Sequence, residues 1–430
     1  MSSFFRCIRC GQKSKPGTSF RCGCGGLREV QHKFGDFSRD LFDGRFKGLN
    51  GEIGSGVWRY KELVHPDLAD DLIQTRSEGN TSIYRHINLV KYTGLRSISL
   101  KHEGENPTGS FKDRGMTVGI SEAKRLGAKV VACASTGNTS ASLSSYAAFS
   151  GIDCLIFIPE GEIAFGKLAQ ALAYGAKVVQ VKGNFDDSMN LVQEASELLG
   201  FYLLNSINPW RIEGQKTIIF ELIQQRLWSS PDWIIFPAGN LGNTSAFGKA
   251  LREMLQLKLI DSMPRLAAVQ AAGANPFYDL WVGGSSRISP VKNPSTVASA
   301  IKIGNPVSWE KALNEIRASK GVVAQVSDQD IMDAKAIVDG SGVGCEPASA
   351  ASVAGAKILF EEGLIKVDDD VVCILTGNLL KDPGASVDYH TGVINGVSPS
   401  FANKPVVVEP VVSSFKDILE KGSISFGGNY

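Results

Sequence analysis

From about residue 100 onward, short runs of β-branched and other apolar residues alternate with Ala- and Leu-rich stretches whose apolar positions recur at helical spacing. Residues 129–134, 154–159, 177–181, 233–236, 266–270, 322–326 and 371–375 predict strands. Residues 115–126, 139–149, 166–174, 185–199, 216–227, 244–257, 308–318, 328–338 and 349–362 predict helices. Strand alternating with helix means βαβ units, hence an α/β fold with mostly parallel sheets flanked by helices; about seven strands suffice for two sheets. The N-terminal third differs. Residues 1–30 are rich in Cys and Gly, and residues 31–100 are mixed, with a helical-looking segment at 61–73 that contains His65-Pro66. Beyond about residue 385 the alternation fades into a tail with Pro-rich and Gly-rich loops.

Composition adds exclusions. Of 430 residues, 43% are hydrophobic and 21% charged, as in a globular enzyme. Lys and Arg total 45 against 44 Asp and Glu, so no global basic field favours nucleic acid or an anionic membrane. No apolar run is long enough for a transmembrane helix, and the start lacks the apolar stretch of a signal peptide. The expectation is a cytoplasmic protein. Cys133, Cys154, Cys345 and Cys373 lie singly in apolar or small-residue runs and read as buried, reduced thiols. Cys7, Cys10, Cys22 and Cys24 form two close pairs, a spacing that suits a tetrahedral structural zinc site with no open position, or else a ribbon without metal.

Three predicted strands end in loops of small polar residues: Ser135-Thr-Gly-Asn-Thr-Ser140, Pro237-Ala-Gly-Asn-Leu-Gly-Asn243 and Thr376-Gly-Asn378. In open α/β sheets ligands bind beyond the carboxyl ends of strands, so these loops can converge on one ligand. Gly239 through Asn243 precede a helix and suit a phosphate, by close backbone approach and free N–H groups; an ordinary turn explains the glycines equally well. Ser135 to Thr139 could hold a carboxylate or simply cap a helix. Lys112 sits in Asn106-Pro-Thr-Gly-Ser-Phe-Lys-Asp-Arg-Gly115, just ahead of a helix, where desolvation could make it a nucleophilic amine. Arg211 follows Pro209, which is expected to end any regular element there and present the Arg from a loop.

The segment His102 to Gly115 resembles the cofactor-lysine motif of the threonine synthase family, which belongs to the fold type II, tryptophan-synthase-β-like pyridoxal-phosphate enzymes. The resemblance continues in order through Ser135–Thr139, Asn205-Ser-Ile-Asn-Pro-Trp-Arg-Ile-Glu-Gly-Gln-Lys-Thr217, Pro237 to Asn243, Gly344-Cys-Glu-Pro-Ala-Ser349 and Leu375-Thr-Gly377. It implies pyridoxal 5'-phosphate held as a Schiff base on Lys112. It places Phe111 and Asn138 against the cofactor ring, and Thr376 at its pyridine nitrogen. The N–H groups of Gly239, Asn240, Leu241, Gly242 and Asn243 would hold the cofactor phosphate. Ser135, Thr136, Thr139, Asn205, Ser206 and Arg211 would bind the substrate, O-phosphohomoserine, whose phosphate is replaced by water to give threonine. Many chains of this kind carry a similar Cys ribbon, and the family suggests a homodimer.

The implied domains are the ribbon at 1–30, a large cofactor domain from 31–110 and 210–385, a small α/β domain at 111–209, and a tail at 386–430. One departure is Asn378-Leu-Leu after Gly377, where the family pattern has a His-Gly type loop. Two alternatives stand beside this reading. One is a related enzyme using O-phosphoserine, such as a cysteate synthase, which needs the same phosphate pocket. The other is a non-catalytic binding protein, whose mark would be a missing lysine. Asp113-Arg114 and the Arg211 block argue against a threonine dehydratase.

Overall fold

The computed structural model describes residues 2–48, 51–161, 165–183 and 185–414. The chain opens with β1 (Ser3–Cys7), β2 (Lys13–Ser14) and β3 (Arg28–His32), an antiparallel ribbon in the order β2-β1-β3. Then come α1 (Arg39–Lys47), α2 (Lys61–Val64), β4 (Ile83–Tyr84), α3 (Ile87–Thr93), β5 (Ser97–His102) and α4 (Lys112–Arg125). A block of β6 (Val130–Ala134), α5 (Asn138–Ser150), β7 (Asp153–Pro159), α6 (Phe165–Ala173), β8 (Lys177–Val181), α7 (Phe185–Leu199) and β9 (Tyr202–Leu203) follows. Next are α8 (Pro209–Gln215), α9 (Thr217–Gln225), β10 (Trp233–Pro237), α10 (Gly242–Gln256), β11 (Arg265–Ala271), α11 (Pro276–Gly283) and α12 (Trp309–Ala318). The last are β12 (Val322–Val326), α13 (Asp328–Gly340), α14 (Pro347–Glu361), β13 (Asp370–Leu375) and α15 (Pro383–Thr391).

Two open sheets result. The larger runs β12-β11-β10-β13-β5-β4, parallel except for the edge strand β4; the smaller runs β8-β7-β6-β9 and is parallel throughout. All five residues of β10 (Trp-Ile-Ile-Phe-Pro) are buried, as expected of a central strand covered on both faces. Helix α14 packs across β10 and β13 through a small-residue face, and Gly355 lets it approach Val269 on β11. Parallel pairing brings the carboxyl ends of the strands in each sheet to one edge. The loops after β5, β6, β10 and β13 therefore carry the candidate chemistry together.

The seven predicted strands and the long helices after residue 112 are present, with ends shifted by a few residues. Two expectations fail, at 61–73 and at Pro209, and the structure adds features that the pattern does not show. The segment 61–73 is helical only as the single turn of α2, because Pro66 removes a donor and a 3-10 turn follows at Asp70–Leu72. Pro209 does not end an element but begins α8: Asn208 caps the helix by accepting from Trp210 N at 3.0 Å, and Pro takes the first turn, where no donor is missed. The expected 216–227 helix is α9, a second short helix following α8. Strand β5 was unforeseen. Ser97, Ser99 and Lys101 make it look half-solvated, yet Lys101 is fully buried with Glu221 at 2.6 Å. At the C-terminal side, α15 runs through the expected boundary at 385, and Ser400 Oγ donates to Asp333 of α13 at 2.8 Å.

Candidate active site

Helix α4, which begins at Lys112, lies backbone to backbone against α8. A Cβ on Gly214 would sit 1.8 Å from the Arg114 carbonyl, and one on Gly115 would sit 3.0 Å from the Arg211 carbonyl. Only glycine fits at 214, any side chain at 115 would be tight, and the contact places Arg211 beside the helix that carries Lys112. The start of α4 is fixed further by a buried charge network. Arg114 donates to Glu103 at 2.6 Å and to Glu221 at 2.7 Å, and Glu221 also accepts from Lys101 at 2.6 Å and Arg59 at 3.2 Å. Removing one partner of such a buried pair costs about 3–5 kcal/mol, so the network locks α4 in place. Asp113 accepts from Thr108 N and Oγ1, both at 2.7 Å, which shapes the turn before Lys112.

Lys112 is the first residue of α4, where the helix dipole disfavours a positive charge. Its Nζ lies 4.2 Å from the centroid of the Phe111 ring. Burial, then the Arg211 charge, push its pKa down to about 7, with Glu346 pulling the other way. Much of the amine is therefore neutral, and so nucleophilic, near neutral pH. Arg211 is 2% exposed, and burial lowers its pKa to about 10. It donates to the Leu204 carbonyl at 3.1 Å, its Nε has no partner, and no carboxylate pairs with it among the described residues. A buried guanidinium left in this state suits an anion supplied from outside.

The loop after β10 reaches the positive-φ residue Leu241 (φ 64°) and enters α10 with no side-chain cap. Nearby, Asn243 Oδ1, Thr244 Oγ1 and Gln215 Oε1 are buried polar atoms without partners, and a Cβ on Gly242 would lie 3.4 Å from Gln215 Oε1. A Cβ on Gly239 would press within 3.2 Å of Ile301 Cα. Free helix N–H groups, a narrow glycine turn and unsatisfied polar atoms fit a bound phosphate. The residues present therefore fit pyridoxal phosphate: a depressed-pKa lysine and, on a separate loop, a phosphate cradle. Two of these groups, Gln215 and Thr244, carried no role in the sequence reading, because the contact between α8 and α10 that exposes them is not legible in one sequence.

The loop after β13 is tied to the lysine loop. Phe111 N donates to the Thr376 carbonyl at 3.0 Å, and Asn378 N donates to the Gly109 carbonyl at 2.9 Å. Ser349 Oγ lies 3.0 Å from Thr376 Oγ1 and accepts from the N–H groups of Thr376 and Gly377. Asn138 Nδ2 donates to Glu346 at 2.9 Å. Asn205 is already engaged: its amide pairs with both backbone groups of Ala134 at 3.0 Å, so it shapes the Ser135 loop. Ser135 and Thr136 lie half-buried on the loop after β6, Thr139 half-buried in the first turn of α5, and Ser206 half-buried on the loop after β9.

The Sγ atoms of Cys7, Cys10, Cys22 and Cys24 all lie within 4.8 Å of one another, at 3.4 Å for Cys7–Cys24 and 3.6 Å for Cys10–Cys22. Tetrahedral Zn–S bonds of about 2.3 Å separate the sulfurs by roughly 3.8 Å, close to this arrangement. Gly26 makes room, since a Cβ there would lie 2.7 Å from Cys7 Sγ. Burial pushes the Cys7 thiol up, but the N–H groups of Cys10 and Arg9 and the neighbouring thiols bring it down to about 6. The ribbon docks on α8: Phe5 meets Trp210 at 6.2 Å, and His32 Nε2 lies 2.8 Å from Glu213.

Residues 74–377 match the family described as pyridoxal-phosphate dependent enzyme. The chain is similar to a threonine synthase of Methanocaldococcus jannaschii, 47% identical over 89% of this chain and 94% of that one. One from Methanosarcina acetivorans is 46% identical over 96% and 98% of the two chains. Arabidopsis thaliana threonine synthase 2, chloroplastic, is 39% identical over 94% and 81%. Among solved structures, maize serine racemase superposes with a TM-score of 0.62 at 21% identity, over 78% of this chain and 97% of that one. Diaminopropionate ammonia lyase from Escherichia coli, in complex with an aminoacrylate-PLP azomethine reaction intermediate, gives 0.61 at 16% identity, over 75% and 92%. These structural likenesses support the fold.

Proposed function

This chain belongs to the threonine synthase family of pyridoxal-phosphate-dependent enzymes, and from that membership we propose how its residues turn O-phospho-L-homoserine and water into L-threonine and phosphate, the last step of threonine biosynthesis. The activity is that of a carbon–oxygen lyase acting on a phosphate. When bound, pyridoxal phosphate supplies an electron sink for successive carbanions. Lys112 carries the cofactor and, once released by substrate, uses Nζ to take and return protons on the substrate carbons. A pKa near 7 suits both directions of transfer. Phe111, Asn138 and Thr376 contact the ring, and the N–H groups of Gly239 through Asn243 hold the cofactor phosphate. Arg211 binds the substrate phosphate with Ser206, and Ser135, Thr136 and Thr139 bind the substrate carboxylate and part of its phosphate. Asn205 serves that pocket by holding the Ser135 loop to β9.

The observation that carries this assignment is the buried Arg211, which no carboxylate pairs with among the described residues and whose charge acts on Lys112. Cofactor and substrate each bring a phosphate, and two features support a place for each: the buried Arg211 on α8 and the uncapped start of α10 with its unpartnered polar atoms. In Lys112→Ala the visible absorbance of the lysine-bound cofactor and all threonine formation should vanish while the circular dichroism spectrum persists. Full activity in that variant would end the assignment of the lysine.

The four ribbon thiols are assigned to a structural zinc, supported by their paired spacing and by the four sulfurs lying within 4.8 Å of one another. A homodimer and work in the cytoplasm belong to the same reading. Unpaired, buried Cys133, Cys345 and Cys373 support a reducing compartment. No helix among the described residues is long and apolar enough to cross a membrane. The division into a small domain (111–209) and a large one (31–110 and 210–385) follows the two sheets.

A further inference from the structure

Glu346 precedes α14 and is 4% exposed, yet no Lys or Arg forms an ion pair with it among the described residues. Its two carboxylate oxygens do different work. Oε2 accepts from Asn138 Nδ2 at 2.9 Å, and Oε1 accepts from Thr376 Oγ1 at 3.3 Å. Asn138 begins α5, which follows β6 of the smaller sheet; Thr376 follows β13 of the larger one. One carboxyl group thus bridges the two sheets from inside the cleft. The sequence makes room for it, since a Cβ on Gly377 would lie 2.5 Å from Glu346 Cδ. The backbone adds a tie, Glu346 N donating to the Gly377 carbonyl at 3.1 Å.

Burying a carboxyl group without a cation is costly, and a purely structural link between an amide and a hydroxyl would need no acid. The charged groups that act on Glu346 are Lys112 from α4 and Lys381 from the loop after β13; burial itself raises its pKa. We propose that Glu346 is a positioning residue for the cofactor: it fixes the amide of Asn138 and the hydroxyl of Thr376 in the orientations from which both meet the pyridoxal ring. With one Nδ2–H of Asn138 held by Glu346, the second N–H and Oδ1 remain for the ligand. The proposal rests on the cofactor reading above.

Glu346→Gln tests it, because Gln offers one acceptor oxygen where Glu offers two, so either Asn138 or Thr376 loses its partner. The full-length protein, stripped of cofactor, is titrated with pyridoxal phosphate and the bound spectrum recorded. Glu346→Gln should bind about tenfold more weakly, as expected for losing a hydrogen bond to a charged group, and its visible absorbance maximum should move. In the Glu346→Gln/Asn138→Ala double variant, affinity should fall within about a factor of two of Asn138→Ala alone, since the two residues act as one unit. Wild-type affinity and spectrum in Glu346→Gln, or fully additive losses in the double variant, would overturn the role. If Glu346→Gln does not fold, Glu346→Asp decides by the same readouts: it keeps both oxygens but draws them back by one methylene, so weaker binding and a displaced spectrum support the role and wild-type values overturn it. A wild type that takes up no pyridoxal phosphate at all overturns the cofactor reading, and the positioning role with it.

Discussion

Arg211 and Lys112 are two basic groups that the fold buries within electrostatic reach of each other, and the Arg211 charge lowers the lysine pKa. Arg211→Ala removes a positive neighbour that lowers the lysine pKa, so the Lys112 titration should move above about 7. In cofactor-free protein, the pH midpoint for modification of Lys112 by an amine-selective reagent, read by mass spectrometry, should rise. The same variant should lower kcat/KM for O-phosphohomoserine by about tenfold to a hundredfold, since a charge-assisted bond contributes roughly 1.5–3 kcal/mol. Arg211→Lys should recover only part, because a point charge cannot reproduce the planar fork. Loss of cofactor from Arg211→Ala with an unaltered KM would show that the two phosphates are placed the wrong way round. The loops that carry Asn138, Gly239–Asn243 and Thr376 can be read in the sequence because small polar residues after apolar runs mark strand ends, whereas Lys112 stands out only through the resemblance of its surrounding motif. Glu346 and Gln215 cannot be read this way. Their roles depend on partners 208 and 30 positions away for Glu346, and on how α8 meets α10 for Gln215, and neither leaves a local pattern.

At the scale of elements, α8 joins the site to the ribbon. Its Gly214 face meets α4, while Trp210 and Glu213 meet Phe5 and His32 of the ribbon strands. The ribbon is only about thirty residues long and buries few apolar side chains, chiefly Phe5, Phe20 and Val30, so a metal is the natural staple. Protein purified without chelator should contain about one zinc per chain, Cys24→Ser should lose it, and chelation should lower the melting temperature. A metal-free protein with unchanged melting would favour a ribbon held by packing alone. The strands after residue 129 could be read from their β-branched runs. Helix α8 was hidden because Pro209 reads equally as a stop and as a first-turn residue, and only the Asn208 cap distinguishes them.

Across the whole molecule, parallel pairing in two sheets sets loops from four distant stretches of chain, after β5, β6, β10 and β13, around one cleft. The alternation of strands and helices made this architecture legible. It could not reveal β5, whose polar residues are compensated only by the buried Glu221 network. On the proposed reading, one phosphate at the start of α10 and another at Arg211 of α8 would set this enzyme apart from one acting on an unphosphorylated amino acid. The direct test is to supply cofactor-loaded protein with O-phospho-L-homoserine or with O-phospho-L-serine and to measure phosphate and amino-acid products together. Equal amounts of phosphate and L-threonine are expected from the first substrate and little phosphate from the second; faster phosphate release from O-phospho-L-serine, or phosphate without threonine, would contradict the assignment.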